Sequence, residues 1–490
     1  MAKSEPLSSQ SNPFANAFIA IIGAWVFLVY LILLNALDGL LAVTGLTNYS
    51  MMLLVHTRRK LPSFFLWKKA SSSANTFPPR EDTPLIAKST PLSSQSKSFA
   101  NVFIAIVGAG VLGLPYAFKR TGWLMSLIML FSVAGLTHYC MMLLVNTRGK
   151  LQSFSGGFSK INSFGDVGFT VCGSVGRFVV DVMIVLSQAG FCIGYLIFIA
   201  NTLANLFNSP SPNSLASQIL ALSMSAKSWY MWGCFPFQLG LNSIATLTHL
   251  APLSIFADVV DLAAMGVVIV KDVFIIMENR PEVRAFGGLS VFFYGMGVAV
   301  YAFEGIGMVL PIESEMRERE KFGRILGLSM GLISVIYGAF GVLGYFAFGN
   351  DTQDIITANL GPGLISLLVQ LGLCINLFFT FPLMMNPVYE ILERRFWGGR
   401  YCLWLRWVSV LLVTLVALMV PNFADFMSLV GSSVCCGLGF VLPALFHLLV
   451  FKEEMSWRGW SIDVGIVALG LVLAVSGTWY ALMEIFAVKG

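Results

Sequence analysis

Charged residues are scarce in this sequence: they make up 11% of its 490 residues, against about 25% in a typical soluble domain. Hydrophobic residues make up 57%, and the mean hydropathy is +0.80. A chain with so little charge cannot cover an apolar interior with a hydrated surface, which excludes a water-soluble globule. A lipid bilayer is the alternative solvent, and there every backbone polar group must be bonded within the protein.

Paired cysteines and catalytic motifs are also lacking. The eight cysteines show no C-x-x-C spacing and lie mostly inside apolar runs, which favours buried thiols over a disulfide framework. No metal-ligand cluster, phosphate-binding loop or nucleophile–base arrangement is found. The sequence therefore predicts no enzyme activity, no metal and no cofactor. The net charge of +5 does not indicate nucleic-acid binding, because basic residues mark the cytosolic loops of membrane proteins.

Long apolar runs occupy the chain from about residue 98 onward. Each run is near the roughly 20 residues that a helix needs to cross a bilayer, and the period-two alternation of transmembrane strands is missing. These runs predict an all-α polytopic membrane protein, with a transporter domain of residues 98–490 and about eleven core helices. The predicted spans are 99–118, 123–145, 177–207, 229–249, 251–276, 288–311, 323–347, 363–391, 401–420, 424–450 and 462–486.

Basic residues are concentrated in alternate loops between these spans. Arg148 and Arg394 belong to such loops, whereas the loops at 348–362 and 421–423 contain no basic residue. The positive-inside rule therefore predicts a cytosolic N-terminus and a C-terminus on the opposite side. Residues 57–97 are polar, basic and rich in serine and proline, which predicts a cytosolic linker.

The first 56 residues resemble a partial, degenerate duplicate of core helices one and two. PLSSQSNPFANAFIAIIGA (6–24) matches PLSSQSKSFANVFIAIVGA (91–109), and GLTNYSMMLLVHTRRKL (45–61) matches GLTHYCMMLLVNTRGKL (135–151). The duplicate is still apolar enough to form an extra N-terminal hairpin of two spans. Two spans, unlike one, would keep the basic linker and all later loops on their predicted sides.

The centre of the duplicate does not match. LVYLILLNALDG (28–39) stands where the second copy has GLPYAFKRTGW (113–123). Codons exist for the first segment that, read in another frame, encode all but one residue of the second. This favours an exon-scale duplication read out of frame; the alternative is independent drift of a real duplicate. In either case the first copy lacks the glycines and the proline of the second.

Helix breakers cluster inside the first core span. Gly108, Gly110, Gly113 and Pro115 lie within an apolar run. Glycine costs about 1 kcal/mol and proline about 3 kcal/mol in a helix interior, so the cluster predicts a helix that unwinds near mid-membrane. The half-helix ends at such a break would suit a carboxylate on one side and an ammonium or a cation on the other. Close helix packing on small residues is the alternative.

A second interrupted span contains GMGVAVYAFEGIGMVLPIESEM (295–316). Glu304 is a carboxylate at membrane depth, which makes it a candidate for proton coupling. The alternative is a structural glutamate that accepts hydrogen bonds from the backbone of an unwound turn. Breaks in spans one and six are what two inverted five-helix repeats would bring together at the midplane.

Two polar residues inside other spans are weaker candidates. Gln188 lies on span three, and Asn376 lies among apolar residues on span eight. An amide at membrane depth needs a partner or a ligand. Hydrogen bonding between helices is the alternative role for both.

The motifs around the two predicted breaks resemble those of a known protein family. GAGVLGLPYAF (108–118) and YAFEGIGMVLPIESEM (301–316) resemble the amino acid/auxin permease family of the LeuT-type superfamily. HLAPLSIFADVVDLAAMGVVIVKD (249–272) is similar to the plant vacuolar members that carry aromatic and neutral amino acids. The resemblance extends over about residues 95–487.

The resemblance implies a LeuT-type 5+5 inverted repeat and proton-coupled movement of neutral or aromatic amino acids from the vacuole into the cytosol by alternating access. The implied substrate-binding residues are Gly108, Ala109, Gly110 and Val111 from span one, and Tyr301, Phe303, Glu304 and Gly305 from span six. Two alternatives remain at this stage: an amino-acid sensor of transporter-like fold, and a non-functional product of a duplicated gene.

Overall fold

A computed structural model describes residues 93–487, apart from 155–160, 208–225, 245–250 and 279–280. The N-terminal duplicate, the extra hairpin and the linker up to residue 92 lie outside the described residues, so these predictions stay untested. Within the described residues, regular structure is almost entirely helical.

The described residues form fourteen α-helices, named here in chain order. They are α1 (Gln95–Ile106), α2 (Leu114–Thr121), α3 (Trp123–Phe154), α4 (Phe164–Phe207), α5 (Ala226–Asn242), α6 (Ala251–Glu278), α7 (Leu289–Ala302), α8 (Ile306–Glu315), α9 (Phe322–Phe348), α10 (Leu364–Phe396), α11 (Leu403–Met419), α12 (Phe423–Val430), α13 (Leu442–Phe451) and α14 (Trp457–Ala487). Span one is α1 with α2, span six is α7 with α8, and span ten is α12 with α13 and the turns between them.

Seven helical segments of the described residues are long and apolar enough to cross a membrane, and the bent pair of α1 and α2 makes an eighth. Helix α11 is apolar but shorter, with 17 residues. The prediction of a polytopic helical membrane protein is therefore confirmed. The count of eleven core spans stays a prediction.

Several helices are longer than the sequence predicted. Helix α1 begins three residues before residue 98, because the Ser94 hydroxyl caps it by accepting a hydrogen bond from the Lys97 amide at 3.4 Å. Helix α3 continues to Phe154, nine residues beyond its predicted end. Helix α4 begins at Phe164 and bends at Gly173, whose φ of +64° is accessible to glycine. The length of an apolar run predicts the apolar part of a helix, but not the more polar turns that extend the helix at its ends.

Spans six and ten are packed backbone to backbone. A methyl group added to Gly431 would overlap the carbonyl oxygen of Gly297. The two spans could therefore not approach as closely if Gly431 were a larger residue. The Ser428 hydroxyl donates to the Tyr294 carbonyl oxygen at 3.0 Å, one turn earlier. This contact fixes α7 beside span ten and sets the position of the break that follows it.

Ion pairs and a short backbone bridge connect helices at the two ends of the bundle. At the predicted cytosolic end, Arg148 of α3 pairs with Glu313 of α8, and both side chains are buried. Next to them Ser93 bridges Met316, with the Ser93 amide 2.9 Å from the Glu315 carbonyl oxygen. At the opposite end Arg120 pairs with Glu484 at 2.5 Å and with Asp425 at 3.5 Å. These contacts join spans one and two to six, and span one to ten and eleven.

Candidate functional site

Span one is broken where the glycines predicted it. Helix α1 ends at Ile106, Gly108 is extended, a 3₁₀ turn covers residues 109–113, and α2 follows with Pro115 in its first turn. The two halves are bent by 47°. Proline suits that position, because a first-turn residue needs no intrahelical N–H bond. The predicted break at Gly108-Ala109-Gly110 is confirmed.

Span six is also broken into two half-helices. Helix α7 ends at Ala302, Phe303 and Glu304 lie between the halves, and α8 begins after Gly305. The Glu304 amide donates to the Tyr301 carbonyl oxygen at 3.3 Å. The Ile306 amide at the start of α8 donates to the Glu304 carboxylate. The Glu304 carboxylate therefore interacts with the first residue of the second half-helix.

The two breaks are in contact with each other. A methyl group added to Gly110 would lie 3.0 Å from the Ala302 Cα atom and 3.3 Å from Cδ1 of Tyr301. One added to Gly305 would lie 3.0 Å from Cγ1 of Ile106. The prediction that spans one and six bring their breaks together is confirmed. Gly110 and Gly305 are needed here for close approach.

Gly108 differs from its neighbours because it borders open space. A methyl group added there would meet no atom within 4 Å, whereas Ala109 and Val111 are buried. Its backbone is extended, with φ −162° and ψ −167°, so glycine is not required for conformation. Close packing therefore explains Gly110 but not Gly108. A ligand that reaches the backbone would explain why Gly108 has no side chain.

The contact between the two breaks is called the junction. Span seven lies against one side of it. The Tyr337 hydroxyl donates to the carbonyl oxygen of Ile106 at 3.3 Å, which satisfies an acceptor at the end of α1. The rings of Tyr337 and Phe303 lie 5.4 Å apart between centroids. Tyr337 could not be singled out from the sequence, because a single tyrosine in an apolar run is common in membrane helices.

Tyr301 lies on the other side of the junction, against span three. It is 3% exposed, and its hydroxyl has no hydrogen-bond partner among the described residues. Its ring is 4.8 Å from the ring of Phe191, and a methyl group on Gly194 would lie 3.0 Å from the hydroxyl oxygen. A buried tyrosine hydroxyl usually finds a partner, so a bound polar group would complete this arrangement.

Glu304 faces span ten, where the helix is irregular. Its Oε2 atom lies 3.9 Å from the place where a Gly439 side chain would begin, and the glutamate itself is half-buried. Two π-helical turns, Gly431–Cys435 and Gly437–Val441, interrupt span ten beside it. Such turns are rare and occur often at functional sites. Sequence reasoning missed them, although the dense small residues of 431–439 were a possible signal.

The two predicted amides lie on α4 and α10, outside the two broken spans. Gln188 is half-buried on α4, one turn before Phe191. Asn376 is 2% exposed on α10; its Oδ1 accepts from the Thr380 hydroxyl at 3.0 Å, and its Nδ2 is unpartnered within the described part of the chain. Among the described hydrogen bonds, neither amide reaches the two breaks. Their roles in substrate binding stay predictions.

Sequence comparisons identify a family for this chain. The sequence pattern of the family described as "Transmembrane amino acid transporter protein" matches residues 92–483. The amino acid transporter AVT3C of Arabidopsis thaliana is 71% identical over 430 residues, covering 86% of this chain and 99% of that protein. The amino acid transporter ANT1 of the same plant is 36% identical, covering 80% of this chain and 93% of that protein.

A more distant relative and a solved structure also match. The vacuolar amino acid transporter 3 of Schizosaccharomyces pombe is 27% identical, covering 82% of this chain and 61% of that protein. The crystal structure of MhsT with L-phenylalanine aligns with a TM-score of 0.48 at 11% identity, covering 80% of this chain and 99% of that one. With matched residues from 92 to 483 and a close relative covered over nearly its whole length, this multi-pass chain belongs to the transmembrane amino acid transporter family, whose members are transporters and not enzymes.

Proposed function

We propose that the chain is a proton-coupled secondary transporter that moves neutral and aromatic amino acids into the cytosol by alternating access. The observation that carries the proposal is the contact between two broken helices at Gly110 and Ala302, next to open space at Gly108. Family membership supports amino-acid transport as such. The substrate class, the coupling ion and the direction are the proposed part.

The backbone at the junction offers both charges that an amino acid needs. The breaks bring four half-helix ends together: the C-terminal ends of α1 and α7 and the N-terminal ends of α2 and α8. Helix N-termini favour a carboxylate, and helix C-termini favour an ammonium group. A zwitterionic α-amino acid presents these two groups on one carbon. The geometry therefore supports recognition of the substrate backbone by Gly108 to Val111 and by the segment around Gly305.

The side chains around the junction support a neutral or aromatic substrate. Tyr301, Phe303 and Phe191 present rings there, and Tyr301 adds its unpartnered hydroxyl. Aromatic rings gain from edge-to-face contact with another ring. A substrate with a charged side chain would need a counter-charge, and Glu304 is already engaged with the Ile306 amide.

Glu304 is the proposed coupling residue. It lies between the half-helices of span six and faces span ten, so a proton on its carboxyl would alter both contacts. The hydrogen bond from Ile306 equally supports a structural role, and the two roles predict different behaviour. A structural glutamate matters for assembly alone, whereas a coupling glutamate links substrate flux to a proton gradient.

The test is uptake of labelled phenylalanine by the purified full chain in liposomes, with and without a pH gradient. Glu304→Gln keeps the size of the side chain and an acceptor for Ile306. We expect it to retain exchange of substrate at equal concentrations and to lose accumulation driven by the gradient. Glu390→Gln, which replaces an exposed carboxylate of α10, is the matched control and should accumulate substrate like the wild type. Unchanged gradient-driven accumulation by Glu304→Gln would contradict proton coupling at this residue.

The vacuolar membrane is the proposed location, with the N-terminus in the cytosol. The name of the Schizosaccharomyces pombe relative supports the compartment, and the loop charges support the orientation. An acidic vacuolar lumen would then drive substrate towards the cytosol. The test uses vacuoles isolated from cells that express the chain and preloaded with phenylalanine. Efflux of phenylalanine from these vacuoles should rise as their lumen becomes more acidic.

A further inference from the structure

A second carboxyl group lies deep inside the bundle, away from the two breaks. Asp272 is on α6 and its exposed fraction is 0%. It lies six residues before the end of that helix, which corresponds to about 9 Å along the axis. Depth alone is not unusual, since other acidic residues of the described chain are equally buried.

The environment of Asp272 is unusual. Among the residues that the structure describes, neither carboxylate oxygen has a hydrogen-bond partner. Other buried acidic residues are paired: Glu313 with Arg148, Glu393 with Arg406, Asp425 with Tyr294, and Asp463 with His447. A buried charge without a partner is strongly unfavourable, so this environment favours the neutral acid.

The neighbouring lysine does not compensate Asp272. The Lys271 ammonium donates to the Leu360 carbonyl oxygen at 3.0 Å and to the Ser366 hydroxyl at 2.6 Å. Successive helical positions point about 100° apart, so this lysine serves a different face. No charged side chain of the described residues acts on the Asp272 carboxyl to offset its burial.

The elements packed on α6 are α9, α10 and the turn at 356–360. The turn carries no titratable side chain. On α9, Tyr337 donates to Ile106 and the Tyr345 hydroxyl accepts from the Arg284 amide at 3.0 Å. The remaining titratable groups are Arg324 on α9, Cys374, Tyr389, Glu390, Glu393, Arg394 and Arg395 on α10, and Asp261, Lys271 and Glu278 on the described part of α6 itself.

We propose that Asp272 is a second proton-binding site of this transporter, separate from Glu304. It is neutral in this conformation, and its O–H gives the proton to water when the interface of α6 with α9 and α10 opens. A proton is the ligand that fits, because the carboxyl has no exposed surface. A metal ion would need several ligands, and the described residues contain no group of three or more acidic, histidine or cysteine side chains that could hold one.

Asp272 is also connected to the junction through its own helix. Positions 261, 265, 268 and 272 follow helical spacing along one face, and Met265 and Val268 are buried between the two aspartates. Asp261, at the far end of this face, acts electrostatically on Tyr195 and Tyr337. Helix α6 therefore links Asp272 to an aspartate that acts on two tyrosines near the proposed substrate site.

The direct test is infrared spectroscopy of the purified full chain at pH about 7, where ordinary aspartates and glutamates are ionised. We expect the wild type to show the carbonyl band of a protonated carboxylic acid. Asp272→Asn should lose intensity in this band, and Glu304→Gln should keep the Asp272 component. Asp425→Asn, which removes a buried carboxylate paired with Arg120 and Tyr294, is the matched control and should leave the band unchanged.

Equal band intensity in the wild type and in Asp272→Asn would overturn the proposal. Failure of both Asp272→Asn and Asp272→Leu to give monodisperse protein would overturn it as well, because a neutral acid here predicts that neutral side chains are tolerated. A flux measurement rests on the proposed transport: Asp272→Asn should shift the pH dependence of uptake. The spectroscopic result does not need transport, so its failure is distinguishable from failure of the proposed function.

Discussion

Individual glycines at the junction have different physical roles. Gly110 allows close approach to Ala302, whereas Gly108 borders open space. The sequence predicted that both lie at a break, because glycine and proline are costly in a membrane helix and cluster here. It could not predict which of them packs closely and which borders open space, since that depends on the neighbouring span. Tyr337 was missed for the same reason.

Asp354 shows how a loop residue is tied to span ten. It lies between the 3₁₀ turns Gly349–Asp351 and Ile356–Leu360, and its carboxylate accepts from the Phe423 amide at 3.2 Å. Burial raises the pKa of this carboxyl above its ordinary value, although the Phe423 hydrogen bond acts in the opposite direction. The folded protein therefore favours the neutral acid at this position more than the unfolded chain does.

A raised carboxyl pKa makes stability depend on pH in a defined direction. The contribution is fully present below the ordinary aspartate pKa of about 3.9 and is lost as the pH rises through the raised value. Asp354→Asn keeps an acceptor for Phe423 and does not ionise. We expect its melting temperature, relative to the wild type, to rise between pH about 4 and pH about 7. Parallel melting curves of the two proteins over this range would contradict the assignment.

At the scale of the elements, long apolar runs and helix breakers allowed most helices and both breaks to be predicted. The irregular turns of span ten could not be predicted in this way. Gly431–Cys435 and Gly437–Val441 are π-helical, yet their small apolar residues would also suit an ordinary packed helix. The bend of α4 at Gly173 could not be predicted either, because a single glycine does not reveal whether a helix bends there.

The pair of Arg148 and Glu313 fixes α3 to the second half of span six. Both side chains are buried, with 4% and 5% exposed, and Arg148 also donates to the Leu310 carbonyl oxygen at 3.4 Å. We expect Arg148→Met to lower the free energy of unfolding by about 3–5 kcal/mol, because Glu313 would be left as a buried charge. Adding Glu313→Leu should restore much of the loss. Urea titration of the detergent-purified protein measures both changes.

The control for this prediction is an exposed pair at the same end. Lys321 and Glu318 pair across one turn with side chains 50% and 46% exposed, and this pairing keeps the pKa of Glu318 low. Water screens such a pair, so Lys321→Met should leave the free energy of unfolding close to the wild-type value. An equal loss in the two single variants would show that burial is not what makes the Arg148 pair matter.

For the whole molecule, the family pattern begins at residue 92 and ends at residue 483, so it does not include the N-terminal duplicate. We therefore expect a chain that begins after residue 90 to transport phenylalanine into liposomes at the same rate per molecule as the full chain. Transport by the truncated chain alone would show that the duplicate inhibits the product. Substrate binding without flux in either form would favour a sensor.

The open space at the two breaks is the proposed binding site of the substrate. Gly108→Val places a side chain in that space, where an added Cβ atom has no atom within 4 Å, and Gly135→Val adds the same group at an exposed position of α3 with equal clearance for its Cβ atom. The most direct measurement is phenylalanine exchange in liposomes by these two variants and the wild type. We predict that Gly108→Val lowers kcat/KM at least about tenfold, or about 1.4 kcal/mol, while Gly135→Val and the melting temperatures remain near wild type. Exchange by Gly108→Val at the wild-type rate would contradict the site.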